Sequence, residues 1–158
     1  MKKVIGAVLF LASLLIGLWY YSLYQGRKPF RCDAQQISVQ VKAKKSIVLN
    51  ANATVIFSSS KASLIYITGS IKEDETQYLL DRKIFFTITP SEIKGTDNTQ
   101  LTHEEVHPGD NTPNQIWLNV LLPEIQRINF YTKIIPLHHN ALLIRGVTNP
   151  FLVCTKQD

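Results

Sequence analysis

The chain has 158 residues, 17 of them basic and 12 acidic, for a formal net charge of +5. That length suits one domain and little more. Lys2 and Lys3 stand ahead of a long apolar stretch, so the remainder carries 15 basic against 12 acidic residues. This surplus is too mild for the dense basic stripe of a nucleic-acid binder, and no direct contact with nucleic acid is expected. Lys42, Lys44 and Lys45 are the only tight basic cluster in the sequence. Isolated charge runs are usually solvated, so the cluster reads as an exposed edge or turn.

Residues 4–24 contain no charged side chain. As a helix they would span about 31 Å, at about 1.5 Å per residue, close to the roughly 30 Å hydrocarbon core of a bilayer. Trp19, Tyr20, Tyr21 and Tyr24 gather at one end, as amphipathic aromatics do at the headgroup level. A cleaved signal peptide would need a shorter apolar core and small residues at the cleavage point, and bulky Trp-Tyr-Tyr is a poor fit. The stretch therefore reads as an uncleaved transmembrane anchor. The expected division is 1–25 for a cytoplasmic tip and anchor and 26–158 for a periplasmic domain. Orientation is contested by Arg27, Lys28 and Arg31 on the far side. Long domains cross largely regardless of such charges.

Cys32 follows the anchor and Cys154 lies at the other end of the domain. Such a pair suits a disulfide that ties the two ends together, and a disulfide persists only in an oxidising compartment such as the periplasm. Two unrelated buried thiols are the alternative, because sequence does not supply the Cα separation that bridging demands. No CxxC occurs, so neither a redox motif nor a zinc ribbon is indicated.

Beyond the anchor the chain reads mainly as strands. Residues 37–41 alternate apolar and polar. Ile47-Val48-Leu49 and Thr54-Val55-Ile56-Phe57 read as two strands separated by a turn at Asn50-Ala51-Asn52. Residues 64–71 form the next strand, and Glu73-Asp74-Glu75 a polar turn. Residues 78–89 are the longest strand, ended by Pro90, which has no N–H for a ladder. Residues 91–111, rich in Ser, Asn, Thr, Asp, Gly and Pro, read as a long loop.

A helix is then expected, with Thr112 as N-cap and Pro113 at the first position. Ile116, Trp117, Val120 and Leu121 form its apolar stripe, and Pro123 stops it. Ile128, Phe130, Thr132 and Ile134 share a strand face. His138-His139-Asn140 is a hairpin turn, residues 142–144 return, Asn149-Pro150 turns, and residues 151–154 form a last strand. About eight short strands with one helix and short connections predict a mainly β fold, a small antiparallel barrel or a sandwich.

Two features invite chemistry. His103-Glu104-Glu105-Val106-His107 matches H-E-x-x-H literally. That motif binds zinc only on a helix, where both imidazoles share a face, and Pro108 directly after His107 opposes a helix. It reads as a chance match, with no metal ligand or catalytic residue assigned; no cofactor and no enzymatic activity are expected. Arg82 falls on the same face of its strand as Tyr78, Leu80, Ile84 and Phe86. If that face is inward, Arg82 meets either an anionic ligand or partner, or an internal acid; unpaired buried charge is costly.

The Met1-Lys2-Lys3 start with its apolar span, Cys32, the segment Leu80-Asp81-Arg82-Lys83-Ile84-Phe85-Phe86, Phe130-Tyr131 and Asn149-Pro150-Phe151-Leu152-Val153-Cys154 together resemble the FidL-like membrane proteins of enteric bacteria. That family is similar in layout to ToxS-type accessory proteins. The resemblance implies a single-pass protein of the bacterial inner membrane with a cytoplasmic N-terminus. It also implies a partner, the periplasmic sensor domain of a ToxR-like membrane-bound winged-helix regulator of transcription and virulence. In some such pairs the accessory protein is a lipocalin-like barrel that helps to bind bile salts. A stand-alone barrel binding bile salts or other small amphiphiles is the alternative. The resemblance carries no catalytic residue, and Arg82 is the one polar position kept as a ligand or partner candidate.

Overall fold

The computed structural model describes residues 2–23, 29–42, 45–58, 62–121, 130–147 and 149–157. A helix, α1 (Lys2–Leu23), comes first. Its described side chains, Gly6 and those from Phe10 to Tyr21, are all exposed although most are apolar. A span needs about 20 apolar residues. Among the described residues no helix is long and apolar enough to cross a membrane.

Eight strands follow: β1 (Phe30–Lys42), β2 (Lys45–Phe57), β3 (Ser63–Glu73), β4 (Thr76–Pro90), β5 (Asp97–Val106), β6 (Phe130–Pro136), β7 (Ala141–Arg145) and β8 (Pro150–Gln157). Each pairs antiparallel with the next and β8 returns to β1, giving a closed up-and-down barrel. Closure removes the sheet edges that would otherwise template aggregation. The structure thus decides for the barrel over the sandwich. A second helix, α2 (Asn114–Leu121), lies between β5 and β6.

Closure is uneven. β1 and β2 pair along their whole length, and β3 pairs throughout with β4 from Thr76 to Phe86. By contrast β5 meets β6 only from Asp97 to Thr99, and β8 meets β1 only from Arg31 to Asp33. One half of the barrel is therefore fully closed. The other half is a curved sheet of β1 to β5, and α2 sends Ile116 and Trp117 into its core beside Leu49, Ile71 and Leu80. Small residues make room there. Ala51 and Ala53 are buried, and Gly69 takes a φ of 155° that brings its Cα against the backbone of Asn50 and Ala51.

Several sequence expectations hold. The strand over 64–71, the long strand ending at Pro90, and the helix with buried Ile116 and Trp117 are all present. His139 and Asn140 both have positive φ (56° and 59°), the backbone of a type I′ hairpin turn.

Others are corrected. Asn50-Ala51-Asn52 is not a turn; β2 runs through it because β1 and β3 pair with it on both sides. Residues 97–106 are strand β5, not loop, held by the backbone ladder to β4. Thr112 does not cap α2: the Pro113 carbonyl accepts the first helical bonds, while the Thr112 hydroxyl donates to the Leu79 carbonyl. Lys44, Pro123 and Ile128 lie outside the described residues.

Candidate functional site

Three features are placed by this architecture. The first is the bridge. Cys32 of β1 and Cys154 of β8 form a disulfide with a Cα separation of 5.5 Å. Both residues are buried, beside Val55 and Phe86. The bond sits at the end of the short β1–β8 pairing and fastens the closure that only three residue pairs hold otherwise.

The second is the charged cluster around Arg82, which does face inward and is 2% exposed. Its Nε donates to Asp110 Oδ2 (2.9 Å), and Nη2 donates to Asp110 Oδ1 (3.2 Å) and the Thr112 carbonyl (2.7 Å). Nη1 donates to Glu104 Oε1 and Asn114 Oδ1, both at 3.1 Å. These contacts employ all five N–H donors of a guanidinium, so the side chain has none over for a bound anion, and the pairing with an internal acid is what the geometry displays. The guanidinium carbon also lies 5.0 Å from the centre of the Trp117 ring, a cation–π distance.

Asp110 accepts two further bonds, from the backbone N–H of Asp81 (2.9 Å) and of Thr112 (2.8 Å). Burial pushes its carboxyl pKa up, but the Arg82 guanidinium and the two N–H groups outweigh that and hold it below the ordinary carboxylate value. Burial likewise works against the charged form of Arg82, and Asp110 and Glu104 more than restore it. The cluster ties the connection from β5 to α2 onto β4.

The third feature is a cavity of about 150 Å³ inside the barrel, lined by residues of all eight strands. Its wall is almost wholly apolar, with Phe30, Phe57, Phe86, Ile88 and Leu101 among its residues. Phe30 and Phe57 stack at 5.2 Å, and Phe130 meets Phe151 edge-on at 5.7 Å. The wall's two threonines, Thr99 and Thr132, satisfy each other through a buried 2.7 Å hydrogen bond. The interior therefore offers surface to an apolar group and few polar anchors. The alternation of β4 places Ile84, Phe86 and Ile88 on one face, but Thr99 and Leu101 fall in the stretch expected as loop, so their part of this wall carries no sequence signal.

The histidine motif gains no metal geometry. His103 lies on β5 and His107 just past its end; an extended chain rises about 3.3 Å per residue, so side chains four apart start on the order of 13 Å from one another, too far for one ion. His103 instead stacks on Phe85 at 4.2 Å, and His107 Nδ1 faces Asp81 at 3.6 Å. Among the described residues no group of three or more His, Cys, Asp or Glu side chains could hold a metal ion.

With this geometry in hand, the comparison with known proteins is specific. The family model described as FidL-like putative membrane protein matches residues 69–154, just over half of the 158. The chain belongs to the FidL-like family. The matched stretch runs from Gly69 in β3 to Cys154 in β8, and so contains Arg82, Asp110, α2 and one half of the disulfide. No curated protein and no solved structure matches the chain.

Proposed function

We propose that this FidL-like protein is a membrane-anchored, extracytoplasmic barrel that shelters the apolar part of a small amphiphile. The cavity carries this reading: about 150 Å³ of apolar space inside a closed barrel. An apolar void of that size stays dry and binds small apolar molecules readily. The charge-free stretch 4–24 and the exposed apolar surface of α1 support an inner-membrane anchor. The disulfide supports an oxidising compartment, the periplasm, for the barrel. The role is binding, not catalysis.

The test uses the full chain in lipid nanodiscs with toluene as a cavity probe. A rise in melting temperature with toluene, absent in a cavity-filling Val55→Phe variant that still folds, is the expected result. No shift in the unaltered chain would overturn the reading.

A second reading, accessory subunit of a ToxR-like regulator, is favoured by the outer face of β1. From Ala34 onward β1 has no described strand on its β8 side. Ile37 and Val39 point outward there, 67% and 63% exposed. A partner strand could add to such an edge. Co-purification with a ToxR-like regulator, lost on Ile37→Asp, is expected. A regulator whose level and output ignore deletion of this protein would sink the idea.

A further inference from the structure

We infer that the cavity's occupant is a single linear acyl chain, and that it enters sideways through the seam between β1 and β8. The inference rests on the proposed amphiphile-binding role and names the ligand class and its route.

Size decides the class. Binding sites for drug-sized ligands occupy about 300–1,000 Å³, and a fused-ring steroid belongs in that range. The 150 Å³ here is half the lower bound. It equals about five water volumes, and a methylene group is no larger than a water, so a segment on the order of six carbons fills it. A linear chain can leave its polar head outside, which suits a wall whose two hydroxyls are already bonded to each other.

The seam decides the route. Pairing between β1 and β8 stops at Asp33 and Thr155. Continuing the same register would set Gln36 opposite Leu152 and Ile37 opposite Phe151, yet no ladder joins them. Gln36, Leu152 and Phe151 all line the cavity, so the unladdered seam leads into it. Its outer lips are apolar as well: Ile37 and Val153 are both exposed. Apolar side chains on the outside of an unpaired strand, with a polar glutamine inside, invert the usual pattern of a half-buried strand. That inversion suits a threshold crossed by hydrocarbon. The source is close at hand, because only five residues separate Tyr24 from Phe30, and six extended steps reach at most about 22 Å.

Trp117 provides the readout. It shares one buried cluster with Ala53, Ile67 and Ile84, which also line the cavity. The chain has two tryptophans, so a Trp19→Phe variant leaves Trp117 alone to report. Bromine on a carbon chain quenches indole only at near-contact range.

The full chain in nanodiscs is examined in two arms. In one the bilayer phospholipid carries terminally brominated chains; in the other the bilayer is unbrominated and a brominated free fatty acid is added. Loss of Trp117 emission in the first arm assigns the chain to bilayer lipid, and loss only in the second assigns it to a soluble monoacyl ligand. Both support the inference. Ala53→Leu and Val55→Phe, which fill the cavity from different positions on its wall, should restore emission wherever melting shows them folded. Ile37→Asp with Val153→Asp should slow the onset of quenching roughly tenfold, a barrier increment of about 1.4 kcal/mol, and leave its endpoint unchanged.

Emission unaffected in both arms, or quenching that survives the filled cavity, overturns the acyl-chain assignment. A toluene-induced melting shift that persists in that case leaves the broader amphiphile reading standing. Charged lips that do not slow the onset overturn the seam as the route.

Discussion

Replacing Arg82 by Met keeps most of the side chain's length and removes its charge. Asp110, whose side chain is 1% exposed, would then be a buried carboxylate without its cation. Removing one partner of such a pair typically costs about 3–5 kcal/mol. Two backbone N–H groups still reach Asp110, which puts the expected loss near the lower figure, about 3 kcal/mol. For a domain of this size that corresponds to a melting temperature lower by on the order of 12 °C.

Asp110→Asn should cost less, about 1–2 kcal/mol, because Arg82 keeps Glu104 at 3.1 Å. The double variant should lose less than the sum of the two. The pH dependence gives an independent check. The folded-state pKa of Asp110 is depressed, so its contribution is present above the unfolded value of about 3.9 and disappears as pH falls through the folded value. Without Arg82, burial is opposed by the two backbone N–H groups only, so the carboxyl pKa rises and protonation relieves the variant first. The gap between Arg82→Met and the unaltered chain should therefore narrow from pH 7 towards pH 4. Thermal unfolding of the full chain in detergent, followed by far-ultraviolet circular dichroism, measures both effects. Equal melting temperatures at pH 7, or a gap that ignores pH, would refute the argument.

Three further outcomes are expected. Changing Cys32 and Cys154 together to Ser should lower stability by about 5 kcal/mol in the chain-entropy account, since the bridge closes a separation of 122 residues; a denaturant midpoint that barely moves would count against it. Gly69→Ala should destabilise by on the order of 3 kcal/mol, because a Cβ there would collide with the Asn50 carbonyl oxygen; an unchanged melting curve would show that β2 and β3 can part freely. Thr99→Val alone should cost about 1–3 kcal/mol by orphaning the buried Thr132 hydroxyl, whereas Thr99→Val with Thr132→Val should be nearly neutral; a double variant as unstable as the single one would contradict that.

Sequence patterning reached the elements whose two faces differ. β4 alternates inward Leu80, Arg82, Ile84 and Phe86 with more exposed neighbours, so its extent was plain. β5 escaped because beyond Leu101 every residue to Val106 is exposed; nothing buried marks that stretch, and the backbone ladder alone makes it a strand. Asn50-Ala51-Asn52 looked like a turn because its one inward residue is an alanine, small in a half of the barrel that must accommodate Trp117. Arg82 could be placed on an inward face, but its main acid lies 28 positions away among Pro108, Gly109 and Asn111. Such a segment reads as turn chemistry, with no periodicity to point Asp110 at anything. The cavity is a volume left over after packing, which no single strand's pattern records.

The bridge at the β1–β8 closure also has a mechanical consequence. Any tug on the chain ahead of Phe30 loads β1 along its own axis. The thirteen paired positions with β2 resist it in shear on one side. On the other side only three pairs would share the force, and they would tear first. The covalent link from Cys32 to Cys154 carries the load past them into β8 and β7. A pull on Phe30 is then handed to the barrel as a whole body, and not spent in peeling off its first strand.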